Sequence, residues 1–585
     1  MNTKPSLKEY KRALRNFYKI VILISPKTRI YVLILLISLI FTSISELLGL
    51  AALIPLLNSI NNNQFPTDGL LGNYLSFLSL KTALNPEIIL TISTVIVILI
   101  AYIARILANY YILNISNLIG LTIHNKALKN YLKLSYSDQT SSLNDNLAFC
   151  LSNQINNIVS GFIYPLITIV SSLFVILALG SGLFIVSPII TCLIIFFALI
   201  FYLTLGYSFF GNLKKGGKKN QIEQSAHLLL ASNIKSFRKQ IKLYSLEKFL
   251  YQKLSDYQRS IRKYNIFLNF VGILSRPLLE LFILIGFALF IFILSFQADG
   301  STKLTELIFI IIVSQKLFPV FQIIYLGNNN IISNSYPVEK VLNYCFVKSS
   351  FYPKKESIDY KSLKKISLVN VDFKYESKDK KLIFNSFNYS FNFGQSYFIQ
   401  APSGFGKSTL IDLILGLLRP IKGKVLYEGN NDSYTAGDFS LVDFVSYVPQ
   451  SNFFLEGDLR FILTYNYGSN KFSDEEILSK CKIASVDSIV DSLPNGLSTY
   501  CSNNLSNFSG GQKQRFGLAQ ALLNPNLRLL IIDETFSNIE KNLAVKILKE
   551  IEIKFPDLTV IMVTHDESIV PNNYQTINLM NLTKK

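Results

Sequence analysis

Hydrophobic positions follow two different patterns along the chain. Up to Leu326, apolar residues form long runs that are separated by polar segments. Beyond Ile366, short β-rich runs alternate with segments of helical periodicity, a succession that is typical of α/β domains. The pattern predicts an α-helical membrane domain in the first part of the chain and an α/β domain in the last third.

Six apolar runs have the length of about 20 residues or more that a helix needs to cross a bilayer. They are Arg29–Leu57, Glu87–Ile115, Ile155–Leu179, Leu183–Phe210, Ile266–Phe296 and Leu304–Leu326, with a loop at Ser181–Gly182. The polar stretches after the second and fourth runs are long and compatible with helix, so we expect helices that extend well beyond the bilayer. Residues Leu7–Tyr18 place apolar side chains near helical spacing, which predicts an amphipathic helix on the membrane surface.

Basic residues are distributed unevenly between the predicted loops. Lys and Arg are frequent at the N-terminus and after the second and fourth runs, whereas the alternate loops nearly lack them. By the positive-inside rule, both termini are cytoplasmic. The net charge of +19, from 57 Lys and Arg against 38 Asp and Glu, then reflects basic loops beside an anionic leaflet. We therefore expect membrane lipid, and not nucleic acid, as a partner.

Composition excludes several other classes of protein. A hydrophobic share of 50% with 16% charged residues and a mean hydropathy of +0.34 is incompatible with disorder or a fibrous repeat. The five cysteines show no C-x-x-C spacing and the chain has three histidines. Neither a disulfide framework nor a metal cluster of these residues is indicated.

A glycine-rich segment lies between a predicted strand at Tyr397–Gln400 and a helical run. Residues 401–409 read APSGFGKST, with Ala401 where such phosphate loops usually have their first glycine. Glycines let backbone N–H groups close around phosphate, and the helix N-terminus adds a positive dipole. The segment predicts a nucleotide site in which Lys407 reaches the β- and γ-phosphates and Ser408 binds Mg²⁺. The phosphate-binding candidates are Ser403, Gly404, Gly406, Lys407, Ser408 and Thr409.

A second apolar strand, Leu527–Ile532, ends in two carboxylates. Such an end fits the other half of a nucleotide site, with Asp533 directed toward Mg²⁺ and Glu534 toward the attacking water. An ordinary strand with a solvated acidic end is the alternative.

Residues 508–512 read FSGGQ and precede a helical stretch. This sequence resembles the signature motif of the ATP-binding cassette (ABC) family, with Phe508 in place of the common Leu. Further landmarks resemble that family in the expected order, namely Tyr375 after a strand, Gln450 in YVPQ, a D-loop at Ser537–Glu540 with Glu540 where Asp is usual, and His565 in VTH.

The resemblance implies a role for each matching residue. Tyr375 would stack on adenine, Gln450 would contact Mg²⁺ with Ser408 and Asp533, and His565 would contact the γ-phosphate. Catalysis would fall to Glu534, His565 and Lys407. The signature residues that would bind ATP held by a partner chain are Ser509, Gly510, Gly511 and Gln512.

The resemblance covers the whole chain and is to exporter-type ABC half-transporters. It implies a six-span transmembrane domain with long helix extensions over residues 1–332, a linker over 333–365 and an α/β P-loop nucleotide-binding domain over 366–585. It also implies ATP and Mg²⁺ as cofactors, a second half-transporter chain in a dimer, most simply a homodimer, and a bacterial-type inner membrane as location.

Charged residues inside predicted spans are costly and suggest a substrate path. They are Glu46, Arg105, Arg276 and Glu280. Two arginines in one half of the membrane would suit a phosphate or pyrophosphate headgroup. An Arg276–Glu280 ion pair with side chains that reach toward the interface is the structural alternative.

The segments around these charges resemble bacterial flippases for lipid-linked oligosaccharides. We therefore expect export or flipping of an amphipathic, lipid-linked saccharide, with a peptide or multidrug exporter as the alternative. An ATP-gated channel or regulator is the alternative of another class, which the intact Glu534 and His565 disfavour. The segment Thr499–Asn504 lacks the family's Gly/Glu pattern, which predicts altered coupling.

Overall fold

A computed structural model describes residues 7–56, 86–141, 153–294, 304–346, 358–375, 382–430, 432–465, 467 and 472–580. The described residues divide into two compact units. One lies within residues 1–132 and 145–348, and the other within 133–144 and 349–585. The predicted loops over 58–85 and 297–303 lie outside the described residues.

The described elements of the first unit are helices. They are α1 (Leu7–Leu23), α2 (Pro26–Ala51), α3 (Pro86–Leu132), α5 (Ile155–Val186), α6 (Pro188–Leu243), α7 (Glu247–Leu294), α8 (Leu304–Ser333) and α9 (Ser335–Phe346). The short helix α4 (Tyr136–Ser141) belongs to the second unit. Helix α9 takes up the first part of the predicted linker.

Five of the described helices are long and apolar enough to cross a membrane, namely α2, α3, α5, α6 and α8. The predicted span Ile266–Phe296 falls mainly within α7, and its last two residues lie outside the described residues. The predicted loop at Ser181–Gly182 is wrong, because α5 continues through it to Val186. The chain turns instead at Ser187, which has extended backbone angles, since Pro188 then fixes the first turn of α6.

Three of these helices are much longer than a bilayer requires. Helices α3, α6 and α7 contain 47, 56 and 48 residues. At 1.5 Å per residue they are about 70–84 Å long, more than twice the hydrocarbon core of about 30 Å. The expected helix extensions are therefore present.

Glycine brings the extensions of α6, α7 and α8 close together. A Cβ atom on Gly217 of α6 would overlap the backbone carbonyl oxygen of Ser333 at the end of α8. Beside it, the Tyr264 hydroxyl donates to the Leu213 carbonyl oxygen at 2.9 Å and lies 2.9 Å from Ser333 Oγ. The three helices thus meet at a contact that only a residue without a side chain permits.

The second unit contains a parallel and an antiparallel sheet. The parallel sheet has the strand order β11-β3-β10-β9-β6, and the antiparallel sheet has the order β2-β1-β4-β5. The strands are β1 (Lys365–Phe373), β2 (Phe384–Asn392), β3 (Tyr397–Gln400), β4 (Lys422–Glu428), β5 (Ser433–Thr435), β6 (Val445–Val448), β9 (Leu529–Asp533), β10 (Thr559–Val563) and β11 (Gln575–Asn578). A two-residue ladder pairs β7 (Gly457–Asp458) with β8 (Tyr500–Cys501).

Helices of the second unit alternate with these strands. They are α10 (Lys407–Ile414), α11 (Leu459–Thr464), α12 (Asp474–Ile483), α13 (Asp487–Asp491), α14 (Gly510–Leu522) and α15 (Lys541–Lys554).

Buried side chains cover both faces of the parallel sheet. Along β9, Leu529 and Ile531 belong to one buried cluster, whereas Leu530 and Ile532 belong to another. Because successive strand residues point to opposite faces, the two clusters lie on opposite sides of the sheet. The carboxyl ends of β3, β9 and β10 lie side by side, and the loops that follow them carry the predicted nucleotide residues.

Candidate functional site

The phosphate loop has the predicted strand–loop–helix setting. Gly404 and Gly406 have φ angles of +84° and +88°, and Gly406 precedes the first turn of α10. A Cβ on Gly406 would lie 2.7 Å from Ile383 Cγ2, so glycine is required there for space as well as conformation. Ser403, Gly404 and Ser408 are exposed at the loop surface.

Lys407 lies under this loop and is 8% exposed. Its Nζ donates to the Ala401 carbonyl oxygen at 2.8 Å. Ala401 does not share the positive φ of the loop glycines, so an alanine fits this position without strain. The departure from the usual glycine at 401 therefore leaves the loop conformation intact.

Two carboxylates lie beside the loop. Burial raises the pKa of Asp533 at the end of β9, with the neighbouring Glu534 as a further cause, while the Tyr447 hydroxyl donates to Asp533 Oδ2 at 3.2 Å. Burial, with the Asp533 carboxylate as a second cause, also raises the pKa of Asp412 on α10 from its ordinary 3.8 to about 6. Such poorly solvated carboxylates favour a cation that would neutralise them.

The described residues fit Mg²⁺ bound together with a nucleotide. They contain no group of three or more His, Cys, Asp or Glu side chains that could hold a metal alone. Mg²⁺ typically takes one or two protein ligands and completes its shell with phosphate oxygens and water. Asp533 and the exposed Ser408 hydroxyl offer oxygen atoms of the kind that would serve as these ligands.

Glu534 is held from two sides. Its Oε2 accepts a hydrogen bond from Gln450 Nε2 at 2.8 Å, and its Oε1 lies 2.9 Å from His565 Nε2. Its backbone is left-handed, with φ 49° and ψ 22°, a conformation that is costly for a residue other than glycine. The backbone N–H of Glu534 donates to the Val563 carbonyl oxygen at 2.8 Å. The structure thus brings together the three residues that the sequence predicted at distant positions.

Tyr375 lies at the edge of the same site. Its hydroxyl is 3.1 Å from Thr409 Oγ1, and its ring contacts Phe373 edge to face at 5.2 Å. The side chain is 43% exposed, and an aromatic ring at this position suits stacking on a base.

The signature residues form the N-terminus of α14. Ser509 and Gln512 make a reciprocal capping box, in which Gln512 N donates to Ser509 Oγ at 3.3 Å and Ser509 N donates to Gln512 Oε1 at 2.8 Å. Ser509 and Gly510 are exposed. The Phe508 ring packs edge to face on Phe516, with ring centres 5.3 Å apart. Phenylalanine in place of the common leucine therefore still makes an apolar contact.

A further residue, Gln514, connects the motifs, and sequence reasoning missed it. Gln514 on α14 is 3% exposed. Its Nε2 donates to the Gln450 carbonyl oxygen at 3.3 Å and to Ser537 Oγ at 3.5 Å, and its Oε1 accepts from Asn538 N at 3.3 Å. One buried amide therefore joins the Gln450 loop, the signature helix and the D-loop. In the sequence, Gln514 stands three residues after the Gly-Gly pair, and neither its burial nor its distant partners can be inferred from that spacing.

The segment Thr499–Asn504, which departs from the family pattern just before the signature motif, contains β8 and a short turn. Tyr500 Oη donates to Glu456 Oε1 at 2.7 Å, and the Asn504 side chain accepts from Phe454 N at 3.3 Å. Asn504 and Leu505 both have left-handed backbone angles, with φ 56° and 46°. The segment is therefore a hydrogen-bonded turn tied to the Phe454 loop.

Two of the four predicted membrane charges line one cavity. Glu46 and Arg105 form an ion pair at 3.3 Å, and both line a cavity of about 210 Å³ between α2, α3 and α8. Lys316 of α8 lines it too, although sequence reasoning missed it. Lys316 Nζ donates to Tyr102 Oη at 2.7 Å and lies 4.7 Å from the centre of the Tyr102 ring. With one carboxylate and two cations, the lining has a net charge of +1.

The other two predicted charges pair with each other. Arg276 Nε lies 2.6 Å from Glu280 Oε1, one helical turn along α7. Neither residue is among those that line the cavity of Glu46 and Arg105. Arg276 and Glu280 therefore form the ion pair that the sequence offered as the alternative to a substrate path.

Comparisons with known proteins agree with this geometry. Residues 384–537 match the family model described as ABC transporter. ABC transporter B family member 17 of Arabidopsis thaliana is 34% identical over 208 residues, which are 35% of this chain and 16% of the relative. An uncharacterized ABC transporter ATP-binding protein (y4gM) of Sinorhizobium fredii is 32% identical over 205 residues, 35% of this chain and 34% of the relative. The chain thus matches about a third or less of the length of these curated relatives. Its matched residues belong to an ABC transporter nucleotide-binding domain, which implies binding of ATP with Mg²⁺.

The similarity in structure extends beyond that domain. The solved structure of a bacterial Atm1-family ABC exporter with ATP bound has a TM-score of 0.74 and covers 94% of this chain and 93% of its own. Its sequence identity is 15%, so the likeness concerns the fold. The predicted fold class, a helical transmembrane region followed by an α/β nucleotide-binding domain, is confirmed.

Proposed function

We propose that the chain is one half of an ATP-driven exporter or flippase that works as a dimer in a bacterial-type inner membrane, with its nucleotide-binding domain and both termini in the cytoplasm. The observation that carries this proposal is the arrangement around Glu534. Gln450 and His565 orient the carboxylate at the ends of adjacent parallel strands, beside the buried Lys407.

Each residue has a chemical task in hydrolysis of ATP. Glu534 polarises the attacking water and accepts its proton, and Lys407 and His565 stabilise negative charge on the transferred phosphoryl group. Ser408, Asp533 and Gln450 would hold Mg²⁺, which neutralises phosphate charge when bound. Each Glu534 oxygen has one partner and can accept a second hydrogen bond, so a water can be oriented while Gln450 and His565 stay in place.

The exposed N-terminus of α14 supports the dimer. Ser509 and the glycine amides lie at a helix start that suits a phosphate, and we propose that each chain offers it to the ATP of its partner. Mixing a Lys407→Ala chain with a Ser509→Arg chain tests this arrangement. Mixed dimers should regain part of the ATPase activity, because one of their two sites is intact. No recovery in verified mixed dimers would contradict sites that are shared between chains.

The cavity of Glu46 and Arg105 supports an amphipathic substrate with an anionic group. Its net charge of +1 lies among spans, where a cation in excess is costly unless a ligand compensates it. Lys316 supplies that excess, because its described partner is the neutral Tyr102. We propose a lipid-linked saccharide with a phosphate or pyrophosphate as the preferred substrate, and a peptide or hydrophobic drug as the alternative.

The test is ATPase activity of the purified chain in lipid nanodiscs, titrated separately with a lipid-linked oligosaccharide, cationic drugs and peptides. Glu534→Gln should retain ATP binding and lose about a hundredfold or more of turnover, as expected for loss of a general base. Wild-type turnover in Glu534→Gln would refute the catalytic assignment, and passive ion current through the purified protein would favour a channel.

Two further variants test the cavity. Lys316→Gln should weaken the stimulation of ATPase activity by the lipid-linked saccharide. Arg276→Gln should not, because it removes a cation of another span that lies outside the cavity. Stimulation by drugs or peptides alone would favour the alternative substrates. Equal effects of the two variants would remove the cavity from the proposal.

A further inference from the structure

A second cavity of the membrane unit has a different chemistry. It is a groove of about 510 Å³ between α1, the first half of α2, α3 and α5. Its lining is apolar with a single exception, and includes Ile20, Leu39, Phe162 and Leu166. The exception is Arg29, in the first turn of α2. The groove shares no lining residue with the cavity of Glu46 and Arg105.

Helix α1 forms one wall of the groove and has basic residues on its other side. Phe17, Ile20 and Val21 of α1 line the groove. Arg15, by contrast, pairs with Glu339 of α9 at 3.0 Å, and Lys19 Nζ lies 5.6 Å from the centre of the Phe346 ring. These contacts anchor α1 along α9 while its apolar side is turned to the groove.

The Arg29 guanidinium has no carboxylate within 4 Å among the residues that the structure describes, and its side chain is exposed. The first turn of α2 also contains Lys27 but no acidic residue. A cation at the rim of an otherwise apolar groove, next to a helix of interfacial type, is complementary to a molecule with an anionic head and a hydrocarbon tail. In a bilayer, the abundant molecule of that chemistry is an anionic glycerophospholipid.

We infer that this groove binds one anionic glycerophospholipid, with an acyl chain between α1, α2 and α5 and the phosphate on Arg29. The lipid would serve as a fixed part of the membrane unit rather than as cargo. Because binding needs neither ATP nor transport, this inference stands or falls independently of the proposed function.

The experiment uses the full-length chain, purified in a zwitterionic detergent and incubated with equal amounts of phosphatidylglycerol and phosphatidylcholine of the same acyl chains. Native mass spectrometry then measures which lipid is retained. We expect a preference for phosphatidylglycerol of about fivefold, the effect of one Arg at a membrane surface. Arg29→Gln should abolish that preference. Lys27→Gln, which removes an adjacent cation that does not line the groove, should leave it.

A second pair of variants tests the groove itself. Leu36→Trp places bulk on a residue that lines the groove and should lower retention of both lipids. Ile37→Trp, at an adjacent position that is 68% exposed and outside the lining, should not. Leu166→Trp replaces Leu36→Trp if the latter is not monodisperse.

Three results would overturn the inference. They are equal retention of the two lipids by the wild type, equal loss of preference in Arg29→Gln and Lys27→Gln, and equal loss of retention in the paired tryptophan variants.

Discussion

Gln514 gives the sharpest prediction for the nucleotide site, because its one side chain holds two loops against the signature helix. The change to examine is Gln514→Leu, which keeps the approximate volume and removes the amide. It deletes contacts to the Gln450 carbonyl oxygen, Ser537 Oγ and Asn538 N. A typical hydrogen bond contributes about 1 kcal/mol net, and a buried group left unpaired costs about 1–3 kcal/mol. Since the three contacts are long, at 3.3–3.5 Å, we expect a loss of about 2–3 kcal/mol in stability.

The chain offers a matched control on the same helix. Gln520 is also buried, at 9% exposure, and its Nε2 donates to the Ile462 carbonyl oxygen at 2.8 Å, away from the nucleotide motifs. Gln520→Leu should therefore destabilise the domain to a similar or smaller degree without a specific effect on catalysis. The comparison separates general destabilisation from misplacement of the Gln450 loop and the D-loop.

The assay pairs thermal unfolding with steady-state ATPase activity and ATP binding, normalised to folded protein. If about 1–1.4 kcal/mol of the Gln514 contribution is needed in the transition state, turnover falls about fivefold to tenfold in Gln514→Leu. Binding of ATP should change less. Equal ATPase losses in Gln514→Leu and Gln520→Leu, or wild-type turnover in Gln514→Leu, would contradict a role of Gln514 in positioning the two loops.

Four further substitutions test three local features of the α/β unit. Gly416 and Gly394 both have positive φ, but only at Gly416 would a Cβ overlap the backbone of Gly437. Measured by thermal unfolding, Gly394→Ala should lower the free energy of unfolding by about 1 kcal/mol and Gly416→Ala by about 2–4 kcal/mol. Equal losses would contradict the overlap. Ala401→Gly should leave ATPase activity within about twofold and lower stability by about 0.5–1 kcal/mol; a tenfold gain in activity would show that Ala401 impairs the loop. The raised pKa of Asp412 means that the folded state binds this proton more tightly than the unfolded state does. The free energy of unfolding should therefore fall as the pH rises from about 4 to about 6. Asp412→Asn should flatten that fall and stabilise the chain above pH 6 by about 1–2 kcal/mol after allowance for partial exposure, as measured without nucleotide or Mg²⁺; an unchanged pH profile would contradict the assignment.

The central strands could be predicted from sequence because each is a short apolar run followed at once by a chemical motif. Strand β3 has the predicted bounds, and β9 ends at the predicted Asp533. Strand β2 was not predicted, because its sequence FNSFNYSFN has no motif beside it and alternates polar with aromatic residues. It pairs antiparallel with β1, and the periodicity of the sequence does not identify that partner.

Contacts between distant residues were harder to predict. The pairing of Arg105 with Glu46 depends on how α2 packs on α3, and the entry of Lys316 into the same cavity depends on α8. Within an apolar run, a single Lys gives no sign of the cavity it lines. Gln514 was missed for the same reason, since its partners lie 23 to 64 positions away.

The backbone contact between Glu534 and Val563 has a consequence for how mutants of this site are interpreted. Glu534 and the segment that carries His565 are joined twice, by that backbone hydrogen bond and by the side-chain pair. A change at His565 would therefore also remove one of the two side-chain contacts of the Glu534 carboxylate, and its effect on rate would mix a lost phosphate contact with a less constrained base. Kinetic losses of the single His565 and Glu534 variants should consequently sum to more than the loss of the double variant. In the proposed mechanism the two residues then act as one unit, and neither has a separable share of the catalysis.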